Sequence, residues 1–432
     1  MGMTTYRQPG TIVTDRAFAV PLDHGRPGGE QIEVFARQVT ATAKADANLP
    51  WLVFLQGGPG GAAQRPIGRE AWLNRALDDY QVLLLDQRGT GRSTPANRQT
   101  LARLGTARAQ ADYLSHFRAD SIVLDAELIR RDVTGGAPWS VLGQSFGGFC
   151  TVSYLSFAPH GVREAFITGG LPGLSATADD VYRRTYPQVA KKNAQHYERY
   201  PQDVDNARRI AAYLAAHEVR LPGGRPLTVA AFQSLGGMLG ASTGSHTLHY
   251  LMENAFTPDG DELLDAFRYQ VAQALFPFAA SPLYALLHEA CYAQGAATRW
   301  SAQRLLAEFP EFDPAAAIDG TGPLLFTGEM IYPWMIESDP VLSPLRETAD
   351  ILAERDGWPV LYDPARLGAN EVAVAAAVYY DDMYVPAEFS LRTAAAIGGL
   401  RPWVTNEYEH DGLRVSNGRV LGRLIAMARG TL

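Results

Sequence analysis

Ser145, in the segment GQSFG (143–147), is the first residue of this sequence whose neighbours suggest chemistry. The apolar residues before it predict a short buried strand, and residues 146–159 predict a buried helix. A serine between glycines at a strand-to-helix turn adopts a strained backbone conformation that exposes its hydroxyl group. The N-terminus of the following helix lies beneath it and stabilises negative charge that develops there. We therefore interpret Ser145 as a nucleophile rather than as a serine in a glycine-rich bend.

A serine becomes a good nucleophile only with a general base nearby, and a carboxylate usually orients that base. In hydrolases with this type of turn, the chain order is serine, acid, histidine. Of the nine histidines, only His410, in EYEHDGL (407–413), follows the helical middle region, and it comes just after a predicted strand. We take His410 as the general base.

The acid is expected just past the strand that precedes the histidine. The segment YYDDMYVP (379–386) offers Asp381 and Asp382 there. Because successive side chains of a strand point to opposite sides, only one of the two can face His410. We favour Asp382, which lies where the strand run ends, although a slip of one residue would select Asp381.

Backbone N–H groups must hold the oxygen that becomes negative during acyl transfer. One is expected from Phe146, directly after the nucleophile, and one from Gly58 in FLQGGPGGAA (54–63). That loop lacks the Gly-Lys-Ser/Thr ending of a phosphate-binding loop. A second polar loop, DQRGTGRS (86–93), contains Asp86 and Arg88, which we expect to brace the site.

These residues require an α/β frame to position them. Residues 1–173 alternate strand and helix patterns, with strands at 31–41, 49–56, 80–89, 139–145 and 162–170. Helical patterns dominate residues 174–342, and the alternation returns in 343–432. Apolar strands alternating with helices predict a mostly parallel sheet covered on both faces. The predicted fold is thus an α/β core interrupted by a helical cap at 174–342.

Composition excludes several function classes. The chain has 432 residues, 47% of them hydrophobic, and a net charge of −8, which argues against a nucleic-acid partner. No secretory signal or membrane-length apolar run is visible, so a soluble cytoplasmic protein is expected. Cys150 and Cys291 are expected to be buried reduced thiols. No metal or cofactor is implied, and the sequence does not indicate the oligomeric state.

The combined motifs resemble the proline iminopeptidases of the α/β-hydrolase superfamily. The matching segments are QGGPGG (56–61), DQRGTGRS (86–93), GQSFGGF (143–149), DDMYVP (381–386) and EYEHDG (407–412). They span most of the chain in the family's order, and their combination is far more specific than any one of them. Gln56 departs from the histidine that many relatives carry before the glycines.

The resemblance implies a serine exopeptidase that releases proline from the N-terminus of peptides. Such an enzyme must bind a secondary ammonium, which calls for carboxylates near the nucleophile and an apolar pocket for the ring. Glu329 and Glu289 are the candidates, because both lie in apolar surroundings where a lone glutamate needs a partner. Tyr332 and Trp334 are candidates for the wall around the ring, with cap core as the alternative.

Three other functions stay open. The same triad would serve an esterase or an aminopeptidase with broader N-terminal preference, since fold and triad do not select the substrate. Cap carboxylates would favour the aminopeptidases, because an esterase acting on neutral substrates gains nothing from them. A non-catalytic scaffold that binds a partner is the third, and the presence of a complete triad argues against it.

Overall fold

A nine-stranded sheet runs through the protein in the computed structural model, which describes residues 3–432. The strands are β1 (Thr4–Gln8), β2 (Thr11–Pro21), β3 (Gln31–Ala41), β4 (Trp51–Leu55), β5 (Gln81–Leu85), β6 (Trp139–Gln144), β7 (Val162–Thr168), β8 (Ala373–Tyr379) and β9 (Leu400–Thr405). Their order is β1-β2-β3-β5-β4-β6-β7-β8-β9. Strands β4 to β9 pair in parallel, whereas β1, β2 and β3 pair antiparallel at one edge. The predicted mostly parallel sheet is confirmed.

Helices follow the strands of the first part of the chain and dominate its middle. Before β7 lie α1 (Ala71–Ala76), α2 (Arg98–Leu101), α3 (Ala107–Leu114), α4 (Ala119–Thr134) and α5 (Phe146–Phe157). Between β7 and β8 lie α6 (Ala178–Arg199), α7 (Asp203–Ala216), α8 (Val229–Gln233), α9 (Gly244–Met252), α10 (Asp265–Ala274), α11 (Pro282–Leu287), α12 (Ser301–Leu305), α13 (Ala315–Ile318), α14 (Pro333–Glu337), α15 (Arg346–Ala353) and α16 (Pro364–Gly368). After β8 come α17 (Ala387–Ala396), α18 (Gly412–Val415) and α19 (Arg419–Arg429).

The helical stretch between β7 and β8 contains the predicted cap, whose limits of 174 and 342 stay a prediction. Within residues 3–432, no helix combines the length and hydropathy needed to cross a membrane.

Helices cover both faces of the parallel strands, which explains why these strands are apolar throughout. In β4, Leu52 and Phe54 pack in the cluster that contains residues of α1 and α19. Val53 and Leu55 point to the opposite face, into the cluster that contains α4 and α5. A strand buried on both faces has no polar side to alternate with. The loops at the carboxyl ends of these strands are therefore held by a rigid, double-sided core.

The sequence prediction missed β1 and β2. They form a hairpin in which Gln8 pairs with Thr11 across Pro9 and Gly10, and Gly10 has a φ of 73°. Pro-Gly between two β-branched runs is a turn signal that could have revealed this hairpin. Both strands lie at the antiparallel edge, away from β6, which leads into Ser145.

Candidate active site

Ser145 lies in the tight turn between β6 and α5. Its φ of 55° and ψ of −124° are strained for a residue with a side chain, and its N–H donates to the carbonyl of Thr168 at 2.9 Å. Strain of this kind persists only where the surrounding structure enforces it, and it is concentrated at functional sites. The turn lets the Ser145 side chain line a cavity above the sheet.

The flanking glycines are required by the close approach of backbone segments. A Cβ at Gly147 would lie 1.9 Å from the carbonyl oxygen of Leu55, at the end of β4. A Cβ at Gly143 would lie 2.3 Å from the carbonyl oxygen of Gly147. Either side chain would force strand and helix apart, so the glycines of the segment allow the geometry that presents Ser145.

His410 and Asp382 form a direct pair. The Nδ1 atom of His410 lies 2.7 Å from Oδ2 of Asp382, and the Asp382 side chain is 1% exposed. The other carboxylate oxygen accepts hydrogen bonds from the N–H groups of Tyr384 at 2.8 Å and Val385 at 3.1 Å. Asp381 instead forms a salt bridge with Lys191. The structure thus brings Asp382, and not Asp381, to the histidine.

The environment sets the proton affinity of His410. Burial lowers the pKa of this imidazole, but the charges of Asp382 and Glu329 more than offset burial, so the pKa of His410 is raised overall. With Nδ1–H donating to Asp382, the neutral ring keeps Nε2 as a proton acceptor. Ser145 and His410 line the same cavity without a hydrogen bond between them in the described part of the chain. Such bonds often tighten only when substrate binds.

The cavity in front of Ser145 has a volume of about 330 Å³ and lies between the sheet and the cap. Its polar wall contains residues of the 56–61 loop, Ser145 and His410. Its apolar and aromatic wall is formed by Leu275, Phe276, Phe278, Tyr284, Met330, Ile331, Met335 and Tyr384. This mixture of an apolar lining with a few polar groups is typical of a site for a small ligand.

Two backbone segments next to Ser145 can offer N–H donors. Phe146 is the first residue of α5, where an N–H has no acceptor within its own helix. Gly58 lines the cavity, and its φ of 143° belongs to the region that favours glycine. A Cβ at Gly57 would lie 3.0 Å from Cβ of Ser145, so this loop packs directly against the nucleophile turn.

Asp86 ties the two polar loops together, as expected from the sequence. Its carboxylate accepts from the N–H groups of Ala63 at 3.0 Å and Arg92 at 2.9 Å, and from the Arg65 guanidinium at 2.7 and 2.6 Å. Arg88 is buried and forms a two-bond pair with Asp125 at 2.7 and 2.6 Å. The 56–61 loop is therefore held in place by contacts outside the cavity.

Glu329 is the carboxylate that the cavity encloses. The Tyr284 hydroxyl donates to Oε1 of Glu329, and no lysine or arginine within residues 3–432 forms a salt bridge with it. Burial raises the pKa of Glu329 to about 8; His410 lowers this pKa and Asp382 raises it further. A carboxylate with an unsatisfied charge in an apolar cavity favours a cationic ligand.

The structure does not bring Glu289, Tyr332 or Trp334 to the cavity, contrary to the sequence prediction. The carboxylate of Glu289 accepts from the N–H groups of Ser301 at 3.0 Å and Ala302 at 2.9 Å, so it caps the first turn of α12. Tyr332 is buried, with its hydroxyl 2.9 Å from that of Tyr186, and Trp334 stacks on Tyr332. Tyr332 and Trp334 thus fit the alternative of cap core. Glu289 is satisfied by backbone N–H groups rather than by the alternative of an ion pair with an arginine such as Arg299, which pairs with Glu354 and Asp356.

Sequence reasoning missed most of the wall. Tyr384 follows Asp382 by two residues and could have been found from the DDMYVP segment, since its ring packs against His410 with centroids 4.8 Å apart. Phe276 and Phe278 lie in a loop without periodicity, which gives no such signal. Arg225 and Arg414 also line the cavity. Only the tertiary structure reveals that the cavity next to Ser145 is also lined by Phe276, Phe278, Arg225 and Arg414.

Comparison with known proteins identifies the family. The α/β-hydrolase fold family model matches residues 50–257. The structure of esterase E22 aligns with 95% of this chain and 98% of its own, at 12% identity and a TM-score of 0.46. Over 413 residues the chain is 50% identical to a proline iminopeptidase from Aeromonas sobria, covering 95% of each protein. It is 37% identical over 422 residues to a proline iminopeptidase from Aspergillus aculeatus, covering 95% of this chain and 92% of that one. The chain belongs to the proline iminopeptidase family, which has the α/β-hydrolase fold.

Proposed function

We propose that this protein is a serine exopeptidase that releases proline from the N-terminus of peptides. The observation that carries the proposal is one cavity lined by Ser145, His410 and the carboxylate of Glu329, with Asp382 bound to the far side of the His410 ring. The 50% identity to the Aeromonas sobria protein supports the same activity. Ser145, His410 and Asp382 supply the acyl-transfer chemistry. The Glu329 carboxylate favours a substrate that carries a positive charge.

In the proposed reaction, Oγ of Ser145 attacks the carbonyl carbon of the N-terminal proline while Nε2 of His410 accepts the hydroxyl proton. Asp382 stabilises the resulting imidazolium through Nδ1–H. The N–H groups of Phe146 and Gly58 hold the oxyanion. His410 then gives its proton to the leaving amine, which leaves a prolyl ester on Ser145. A water molecule, deprotonated by His410, hydrolyses this ester and releases proline.

Glu329 would bind the secondary ammonium of the substrate. A charge-assisted hydrogen bond from the ammonium to this carboxylate would fix the N-terminal residue next to Ser145. The surrounding aromatic and apolar side chains would bury the ring, and the cavity of about 330 Å³ leaves little room for residues before the proline. Exopeptidase action would follow from this enclosure.

A substrate panel tests the proposal. Proline 2-naphthylamide should be hydrolysed with a kcat/KM at least about tenfold above that of alanine 2-naphthylamide, since a good apolar fit contributes a factor of this order. A short acyl ester should be a poorer substrate than the proline amide. Ser145→Ala is the control and should lose activity on all three. A clear preference for the ester would contradict the exopeptidase proposal in favour of an esterase.

Labelling with a fluorophosphonate tests the alternative that the fold is a non-catalytic scaffold. The folded wild-type protein should be labelled at Ser145, and Ser145→Ala should not be. Folded wild-type protein that resists the reagent would favour the scaffold, because an activated serine hydroxyl is what the reagent modifies.

A further inference from the structure

Arg414 is a cation on the wall of the catalytic cavity that has no acidic partner. It lies in α18, four residues after His410, and no carboxylate within residues 3–432 approaches its guanidinium to salt-bridge distance. Burial lowers the pKa of Arg414, with Asp411 acting in the opposite direction. Arg414 as a whole is exposed, lines the cavity and forms no salt bridge within residues 3–432, so its guanidinium is available to bind an anion that enters the cavity.

Gln56 orients this guanidinium. With its amide placed so that both neighbours are satisfied, Oε1 of Gln56 accepts from Nη2 of Arg414 at 2.9 Å and from the N–H of Gly57 at 3.2 Å. Gln87 holds the backbone carbonyl of Gln56 at 3.0 Å. Arg414 is therefore hydrogen-bonded to Gln56, at the start of the loop that packs against Ser145. Its side chain is otherwise exposed to solvent.

Glu329 and Arg414 act on His410 from different parts of the chain. Glu329 comes from the segment before α14 and contacts Tyr284, whereas Arg414 belongs to the turn that carries His410. The charges that shift the pKa of Glu329 are His410 and Asp382, while Arg414 lowers the pKa of His410. The cavity thus carries a carboxyl group, Glu329, from the segment before α14 and a cation, Arg414, from the segment that follows His410. The carboxyl group becomes an anion when a cationic ligand lowers its pKa.

The chemistry of the leaving group connects these two charges. If Glu329 holds the substrate ammonium and Ser145 attacks the adjacent carbonyl, the departing residue must point toward His410, which protonates its amine. In a dipeptide, the free α-carboxylate then lies a few bonds beyond that amine. We propose that Arg414 is a specificity-determining residue that binds this α-carboxylate, so that the enzyme prefers short peptides, dipeptides foremost. This inference rests on the proposed exopeptidase function.

The test compares prolyl-glycine with prolyl-glycinamide, which differ only in the terminal charge. We expect the kcat/KM of the wild-type enzyme to favour the free acid by about tenfold, the size of a partly exposed charge-assisted bond. In Arg414→Gln the acid-to-amide ratio should fall to near one. Arg414→Lys, which keeps the charge without the planar fork, should restore part of it. The preference should also shrink from prolyl-glycine to prolyl-glycyl-glycine, because the carboxylate moves away.

Arg225→Gln tests the competing cation, since Arg225 also lines the cavity and also forms no salt bridge within residues 3–432, but comes from the cap and not from the segment next to His410. Its acid-to-amide ratio should match that of the wild type. A wild-type ratio of one or less, or an unchanged ratio in folded Arg414→Gln, would overturn the inference. Loss of the ratio in Arg225→Gln alone would also overturn it. If the wild-type enzyme cleaves proline 2-naphthylamide, any of these contrary outcomes contradicts only the role of Arg414 and leaves the exopeptidase function intact. If the wild-type enzyme cleaves no prolyl substrate, both the exopeptidase function and the role of Arg414 are contradicted.

Discussion

At the scale of single residues, Glu329 and His410 control each other's protonation. Burial disfavours the charged form of each group, and each stabilises the charge of the other. With Asp382 also acting, the pKa of both groups is raised overall. Since the pKa of Glu329 is raised to about 8, this carboxyl group is largely neutral near pH 7 unless a cation binds beside it. A bound ammonium would favour the ionised form, so binding of substrate and loss of the Glu329 proton are linked.

Glu329→Gln should therefore change the pH dependence of substrate binding. Only the ionised carboxylate pairs with the ammonium, so its contribution grows as the pH rises toward about 8 and is lost as the pH falls. The ratio of KM values, variant over wild type, for proline 2-naphthylamide should increase between pH 6 and pH 8, reaching about tenfold. Steady-state kinetics across this range measures the ratio. A ratio that stays constant with pH would remove Glu329 from ammonium binding.

The two neighbouring aspartates offer a second residue-scale test. Asp382→Asn should lower kcat by about 10³- to 10⁴-fold, because the amide cannot stabilise the imidazolium and favours the wrong ring tautomer. Asp381→Asn, the matched control, should retain kcat within about twofold, since Asp381 bonds Lys191 rather than His410. Equal losses in the two variants would contradict the assignment of Asp382.

At the scale of secondary-structure elements, helix α6 joins the cap to the catalytic loops. Gln188 donates to the carbonyl of Asp381 at 3.0 Å, next to the acid. Lys192 donates to both carboxylate oxygens of Glu409 at 2.6 Å, next to His410. Asn193 accepts from the N–H of Phe326 at 2.8 Å and donates to its carbonyl at 2.9 Å, three residues before Glu329. One helix thus contacts the segments that carry Asp382, His410 and Glu329.

Lys192→Met should loosen this connection. The Lys192 side chain is 4% exposed, and its removal leaves Glu409, 31% exposed, without its cation. We expect the free energy of unfolding to fall by about 1–3 kcal/mol and kcat to fall severalfold, as the His410 loop loses support. Urea unfolding and steady-state kinetics measure the two effects.

The adjacent Lys191→Met variant is the control for this effect. Lys191 is 48% exposed in its pair with Asp381, so its removal should change the free energy of unfolding by less than about 0.5 kcal/mol. Similar losses of stability and activity in the two variants would show that burial of Lys192 does not matter.

At the scale of the whole molecule, the parallel sheet brings distant segments to one edge. Residues after β4, β6, β8 and β9 supply the Gly58 loop, Ser145, Asp382 and His410 in turn. The strands carrying these loops run parallel, so their carboxyl ends meet at the same edge, where α/β sheets bind ligands. Gly58, Ser145 and His410 line one cavity although Gly58 and His410 lie 352 positions apart in the chain, and Asp382 reaches this cavity through its hydrogen bond with His410.

Much of this arrangement was predictable because it depends on local signals. The apolar strands, the glycines around Ser145 and the histidine after β9 each follow from short-range geometry, and the parallel sheet follows from their alternation with helices. The β1–β2 hairpin was missed despite its Pro-Gly turn. The sequence favours Asp382 over Asp381 but keeps Asp381 as the alternative, because a slip of one residue exchanges the faces of a strand. The hydrogen bond with His410 singles out Asp382.

The sequence by itself determined the fold class and the motifs of acyl transfer, because strand period, turn sterics and chain order are encoded locally. The tertiary structure alone decided which cap residues reach Ser145. Glu289 and Glu329 look alike in sequence, each acidic in an apolar stretch. Folding gives Glu289 two backbone donors at the start of α12, whereas Glu329 faces the cavity and forms no salt bridge with a lysine or arginine within residues 3–432. The free energy of a buried carboxylate depends on the partners that arrive from distant segments, and no local pattern contains them.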